Sequence, residues 1–305
     1  MTVSTKIAAG LFGKRVDAFT DRNFKYLLIA PAIFILLLIG LFPLINLVVA
    51  SFQDITILGE DKSFQGLLNY KRLFSDARMW ESLLHTVLFM AVALPIELLL
   101  GTVMALLLLE KMWGRQIFIA LLIIPTVIAP IVAGATWRLM FDNRFGPINQ
   151  VLGWFKGEPV NIVWIVNSSY VWAAILATEV WQWTPFMFLI LLAGFSNVDR
   201  TQVEAAQIDG ASNLRIFFKI VIPAIRPVLA IALLIRALDL FRLFDIVWAL
   251  TRGGPGTMTE TISTFTYVKG FEQFDTSYTS AVAIVVVVLL SIAVIFALRR
   301  VEIAR

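Results

Sequence analysis

Long apolar runs recur along the chain, separated by shorter half-polar stretches. A hydrocarbon core roughly 30 Å thick takes about 20 helical residues to cross. Six stretches qualify: about 26–50, 83–109, 117–141, 170–195, 221–250 and 280–298. Lys6, Lys14, Arg15, Arg22 and Lys25 precede the first run as in a signal peptide, but the run is too long for a signal's apolar region and reads as an uncleaved first helix. Pro31, Pro43, Pro95, Pro125, Pro130, Pro185 and Pro227 interrupt these segments. Each frees a backbone carbonyl that a neighbouring helix or water must satisfy. Singly they are kinks; together they suit a bundle around a cavity. The pattern predicts an all-α integral membrane protein. It shows no solenoid repeat, and no inverted pair of three-helix halves of the kind that marks secondary transporters.

Between the fourth and fifth runs lies "VEAAQIDGASNLRIFFKIVIP", Val203 to Pro223. "TQVE" has the form of a capping box in which Thr201 caps and Glu204 reaches back, predicting a short helix from Thr201 to about Ile208. Gly210 suits the left-handed position that ends a helix. Ser212 can cap a second helix, in which Leu214, Phe217, Phe218 and Val221 repeat at helical spacing before Pro223 opens span five. The product is a helix–turn–helix knob. From the residues alone it is either an amphipathic hairpin on lipid headgroups or a docking element.

Composition narrows the class. Only 15% of the residues are charged, against about 25% in soluble domains. The net charge of +4 is too small to point to nucleic acid. There are no cysteines and one histidine, His85, which excludes disulfides, thiolate chemistry and multi-histidine metal sites. No phosphate-cradling glycine loop with its lysine is present, so any ATP used is hydrolysed by another chain. With the N-terminus cytoplasmic, inside segments hold 14 Lys and Arg against 8 outside, favouring both termini inside. This places Val203–Pro223 in the cytoplasm. Most tryptophans fall near expected interfaces, whereas Trp181 and Trp183 lie mid-span.

Charges within the membrane cost about 2.5–3.5 kcal/mol each, so they call for a role. On span four Glu179, Gln182, Trp183 and Phe186 share one helical face, and a carboxylate, an amide and two rings make a good sugar surface. Span five holds Arg236, Asp239, Arg242 and Asp245 at steps of three, so Arg236–Asp239 and Arg242–Asp245 are the expected pairs. Arg236 and Asp239 either line a cavity or only pair for packing; a cavity Arg236 would suit an anionic sugar. Asp245 reads as structural. Glu97 follows Pro95 and is expected to serve the freed backbone groups; His85 reads as an interfacial hydrogen-bonder.

"EAAQIDGASNLRIFFKIVIP" resembles the EAA loop of binding-protein-dependent ABC importer permeases. "FQGLLNYKRLFSD" (64–76), "FGPIN" (145–149) and "FDIVWALTRGGPGTMTET" (244–261) are similar to segments of its carbohydrate-uptake, maltose-type subgroup. The resemblance covers roughly residues 25–305. It implies a six-helix type I importer permease with an EAA loop over 200–223 forming a coupling helix. Glu204, Ala205, Ala206, Asp209, Gly210, Ala211, Phe217 and Pro223 would meet a cytoplasmic ATPase. It implies a cavity lined by Glu179, Gln182, Trp183, Phe186, Arg236 and Asp239, with Thr126 and Pro130 from span three. It implies two copies of the ATPase, which bind the ATP and Mg while this chain binds no cofactor. A second similar permease, a periplasmic solute-binding protein and a small polar solute complete the implied partners. The implied location is a bacterial inner membrane, with cytoplasmic segments 1–25 and 299–305. The rivals are the same machinery for glycerol phosphate, a polyol or an amino acid, and an ATP-independent secondary transporter or channel.

Overall fold

The computed structural model describes residues 24–26, 28–55, 63–110 and 112–302, the last three as backbone only. Residues 1–23 of the expected N-terminal segment, Lys111 and residues 303–305 of the expected tail fall outside these. Among the described residues, four helices are long and apolar enough to cross a membrane: α1 (Phe24–Ser51), α3 (Ala77–Leu107), α7 (Val171–Ser196) and α13, whose helix runs Thr276–Glu302. Two bent pairs bring the number to six where each pair counts as one span. In the first, α4 (Arg115–Val127) meets α5 (Pro130–Met140) at 95°. Ala129 precedes Pro130, which forces it out of the helical region, and it sits at φ −59°, ψ 133°. In the second, helix α9 (Asn213–Ala224), which contains a π-turn at Phe217–Val221, meets α10 (Arg226–Phe241) and α11 (Asp245–Leu250) at 72°. Pro227, at the start of α10, has no N–H to carry the ladder across the joint.

Shorter elements connect the spans. Strands β1 (Gln53–Asp54) and β2 (Ser63–Phe64) form a small antiparallel hairpin, a departure from the purely helical expectation. Helices α2 (Leu68–Ser75), α6 (Pro147–Lys156) and α12 (Ile262–Tyr267) lie in connecting segments, and α8 (Arg200–Ile208) sits between α7 and α9. Asn69 donates to the carbonyls of Ser51 and Gln53, both at 3.0 Å. Asp76 caps α3, accepting from the amides of Arg78 and Met79. Arg78 grips Glu260 with two bonds of 2.7 Å, and the Glu260 carbonyl lies 3.2 Å from the His85 ring. Buried polar groups need such partners, so the stretches 64–76 and 244–261 tie neighbouring ends of the spans together.

Helix α7 is the centre of the bundle. Its buried faces carry Val171, Ile175, Glu179, Gln182, Met187, Leu191 and Phe195, with α3 on one side and α4, α5 and α10 on others. Phe89, Ala93, Glu97, Gly101 and Ala105 are all buried and recur at steps of four, forming one ridge of α3. A Cβ on Gly101 would stand 2.8 Å from Met187 Cβ and 2.9 Å from the Phe188 nitrogen. Helix association in lipid relies on such close backbone approach. By contrast α1 leaves its apolar side chains exposed along almost its whole length, as a lipid-facing helix does.

A candidate cavity and a helix–turn–helix knob

Three helices meet at Arg236. The α10 guanidinium donates to both oxygens of Glu97 on α3, at 2.6 and 2.9 Å, and also to Glu179 on α7. Each residue is at most 1% exposed. A buried charge is tolerable only when paired and hydrogen-bonded, and the fork of arginine matches the two oxygens of Glu97. The guanidinium carbon also lies 4.8 Å from the Trp183 ring centroid. Trp183 meets Phe186 edge-on at 6.3 Å.

This arrangement corrects the expected pairing. Arg236 does not bond Asp239; Asp239 instead takes Arg242 at 2.8 Å, in an exposed pair. Arg242 and Asp245 cannot form a helical pair, because α10 ends at Phe241 and Asp245 begins α11. Glu97 bonds the guanidinium rather than serving the backbone around Pro95. Its signal in the sequence is its place on the ridge with Ala93, Gly101 and Ala105, the face that packs closest.

A cavity of about 300 Å³ opens beside the cluster, lined among others by Pro130, Glu179, Trp183, Arg236, Asp239 and Asp245. Glu179 Oε2 is buried without a hydrogen-bond partner. Five of the eight expected cavity residues therefore meet at one hollow. The other three do not line it. Gln182 donates to the Ile128 carbonyl at 2.7 Å, and Thr126 donates to the Gln182 carbonyl at 2.9 Å. These two clasp the bend between α4 and α5, where the broken ladder leaves carbonyls to be satisfied. Phe186 stands beyond Trp183.

At the other end of α7, α8 begins at a cap that differs from the expected one. Asp199, not Thr201, caps it, accepting from the Thr201 amide at 2.9 Å. Asp199 takes the extended backbone of a cap (φ −65°, ψ 113°), and Thr201 lies inside the first turn. The C-terminus closes as a Schellman motif. Gly210 N donates to Gln207 O and Ala211 N to Ala206 O, with Gly210 at φ +77°. Ser212 caps α9, accepting from the Arg215 amide at 3.4 Å. Phe217 packs on Phe195 of α7, with ring centroids 6.2 Å apart, and anchors the knob to the bundle. Glu204, Ala205, Asp209, Gly210 and Pro223 are exposed, and Ala206 and Ala211 half-buried. Ile208, Leu214 and Phe218 project apolar side chains outward.

Residues 73–302 match the family described as "Binding-protein-dependent transport system inner membrane component". The chain is 35% identical over 280 residues to the trehalose/maltose transport system permease protein MalF of Thermococcus litoralis, covering 91% of this chain and 94% of the relative. It is 34% identical over 269 residues to the sulfoquinovosyl glycerol transport system permease protein SmoG of Agrobacterium fabrum, covering 87% and 86%. A crystal structure of a bacterial ABC transporter involved in the import of the acidic polysaccharide alginate superposes with a TM-score of 0.81, over 94% of this chain and 98% of that one, at 20% identity. That last likeness is one of fold. With bundle, bends and knob in place, the family match over three quarters of its length shows that this chain belongs to the inner-membrane permease components of binding-protein-dependent ABC importers.

Proposed function

We propose that this chain forms part of the membrane pathway of an ATP-driven importer for a carbohydrate or similar polyhydroxylated solute. In this reading the six spans cross the cytoplasmic membrane with both termini inside. The knob over 200–223 is the coupling element, seated on one of two ATPase subunits that bind the nucleotide. A second, similar permease completes the pathway, and a periplasmic binding protein delivers solute to the outer loops.

The observation that carries the reading is the cavity beside Arg236. There Glu179, whose Oε2 is buried without a partner, and Trp183 both line one hollow in the middle of a bundle. Hydroxyl groups can donate to the oxygen while a sugar's C–H face covers the ring. The knob supports the coupling role through its exposed Glu204 and its small Ala205 and Ala206, which allow close approach of a partner. ATP binding would move it as a rigid lever and rock the bundle between two states.

The test is ATP hydrolysis by the purified complex of both permeases and the ATPases, with and without loaded binding protein. In Glu204→Ala and Gly210→Val chains the complex assembles and the stimulation is lost. Retained stimulation in both would remove the coupling assignment.

A further inference from the structure

We infer that this chain's wall of the cavity selects neutral or cationic polyhydroxylated solutes and rejects anionic ones, with Glu179, Asp239 and Asp245 as the selecting residues. The inference rests on the reading that solute passes through this hollow. The names of the relatives do not decide the matter. One is named for trehalose and maltose, which are neutral, and one for a sulfonated glycoside, which is anionic, at nearly the same identity.

The side chains do decide it. Arg236 is the cation deepest in the wall, and it is already taken: Glu97 holds it with two bonds and Glu179 with a third. Those three bonds use its Nε and Nη2, so a solute anion placed beside the guanidinium would also meet the two carboxylates that already neutralise it. Arg242 is taken as well, by Asp239. Counting Glu97 behind the wall, four carboxylates face two guanidinium groups, a formal excess of two negative charges. A proton shared between Glu97 and Glu179 still leaves the excess negative. The second, independent observation is that Glu179, which lines the hollow, keeps its Oε2 buried without a hydrogen-bond partner. An ionised carboxylate oxygen only accepts hydrogen bonds. A sugar hydroxyl or an ammonium group satisfies it, whereas a phosphate, sulfonate or carboxylate oxygen repels it.

The experiment is saturation-transfer NMR on the assembled transporter in nanodiscs, without binding protein, so that no other component preselects the solute. The probes are methyl α-glucoside, glucosamine and glucuronate, which share one ring and differ in charge. Signals are assigned to the cavity by their loss in a Trp183→Ala chain. Methyl α-glucoside and glucosamine are expected to bind, and glucuronate at least about tenfold more weakly at low salt. Asp239 is only half-buried and Asp245 exposed, so Asp239→Asn with Asp245→Asn preserves the buried cluster and the fold. This double variant should raise glucuronate affinity relative to methyl α-glucoside by about tenfold or more. Equal affinity for glucuronate and methyl α-glucoside in the unaltered chain overturns the selection while the cavity reading stands, as does an unchanged ratio in the double variant. Absence of a Trp183-dependent signal from all three probes overturns the cavity reading, and the inference with it.

Discussion

The knob over 200–223 and the cluster at Arg236 are built from contacts of opposite reach. In the knob, no capping bond of α8 or α9 joins residues more than five apart: Asp199 to Thr201, Ala206 to Ala211, Ser212 to Arg215. In the cluster, the partners of Arg236 are 139 and 57 residues away. The knob is folded by local bonds and exposed, so it keeps its own shape as a unit while Phe217 links it to the bundle. The cluster ties three spans together, so it holds the bundle and shapes the cavity at once. Changes in the cluster should therefore be expensive for folding, and changes in the knob cheap for folding but costly for coupling.

The largest effect is expected from Arg236→Met, which strands two buried carboxylates and should cost about 3–5 kcal/mol. Thermal unfolding followed by size-exclusion fluorescence would show loss of the assembled complex. Adding Glu97→Gln and Glu179→Gln to the same chain should restore much of that stability, because the stranded charges go with it. Failure of the triple variant to recover would mean that the arginine packs rather than neutralises.

Gly210→Ala comes next. At φ +77° a side chain costs about 1–2 kcal/mol, yet nothing lies within 4 Å of the added carbon. The strain stays in the turn, so the melting temperature should move little while solute-stimulated ATP hydrolysis falls several-fold. A large drop in melting temperature with normal stimulation would place Gly210 in the fold rather than in coupling.

The smallest effects separate the two candidate caps. Asp199→Ala should cost about 1 kcal/mol of α8 stability, read as faster amide exchange over 200–208. Thr201→Ala should change that exchange hardly at all, since Asp199 receives the amide bond. The reverse ranking would restore the Thr201 cap.

The same difference in reach explains what could be read from the sequence. Apolar length alone located the long helices, and local chemistry located the Gly210 turn and the Ser212 cap, whereas Pro130 stood among seven interrupting prolines with nothing to single out its 95° bend. The Thr201 cap was misplaced by two residues because Asp199 offers the same chemistry nearby. The pairing at Arg236 was not legible. Spacing of three along one helix suggested Asp239, but nothing along the chain records that Glu97 and Glu179 lie across the bundle. Only the ridge Phe89, Ala93, Glu97, Gly101, Ala105 hinted that Glu97 faces the core. Gln182 and Thr126 were expected in the cavity wall but do not line it, because the bend they clasp exists only in three dimensions.

The most direct test of the cavity is solute uptake into proteoliposomes by the complex carrying Glu179→Gln, normalised to the amount of assembled transporter and driven by the loaded binding protein. The substitution keeps the shape of the side chain but removes the charge and one acceptor oxygen of a residue that lines the hollow. Uptake should fall by about tenfold or more, the worth of a hydrogen bond to a charged group. Uptake within twofold of the unaltered chain would contradict the assignment of this hollow as the solute's path.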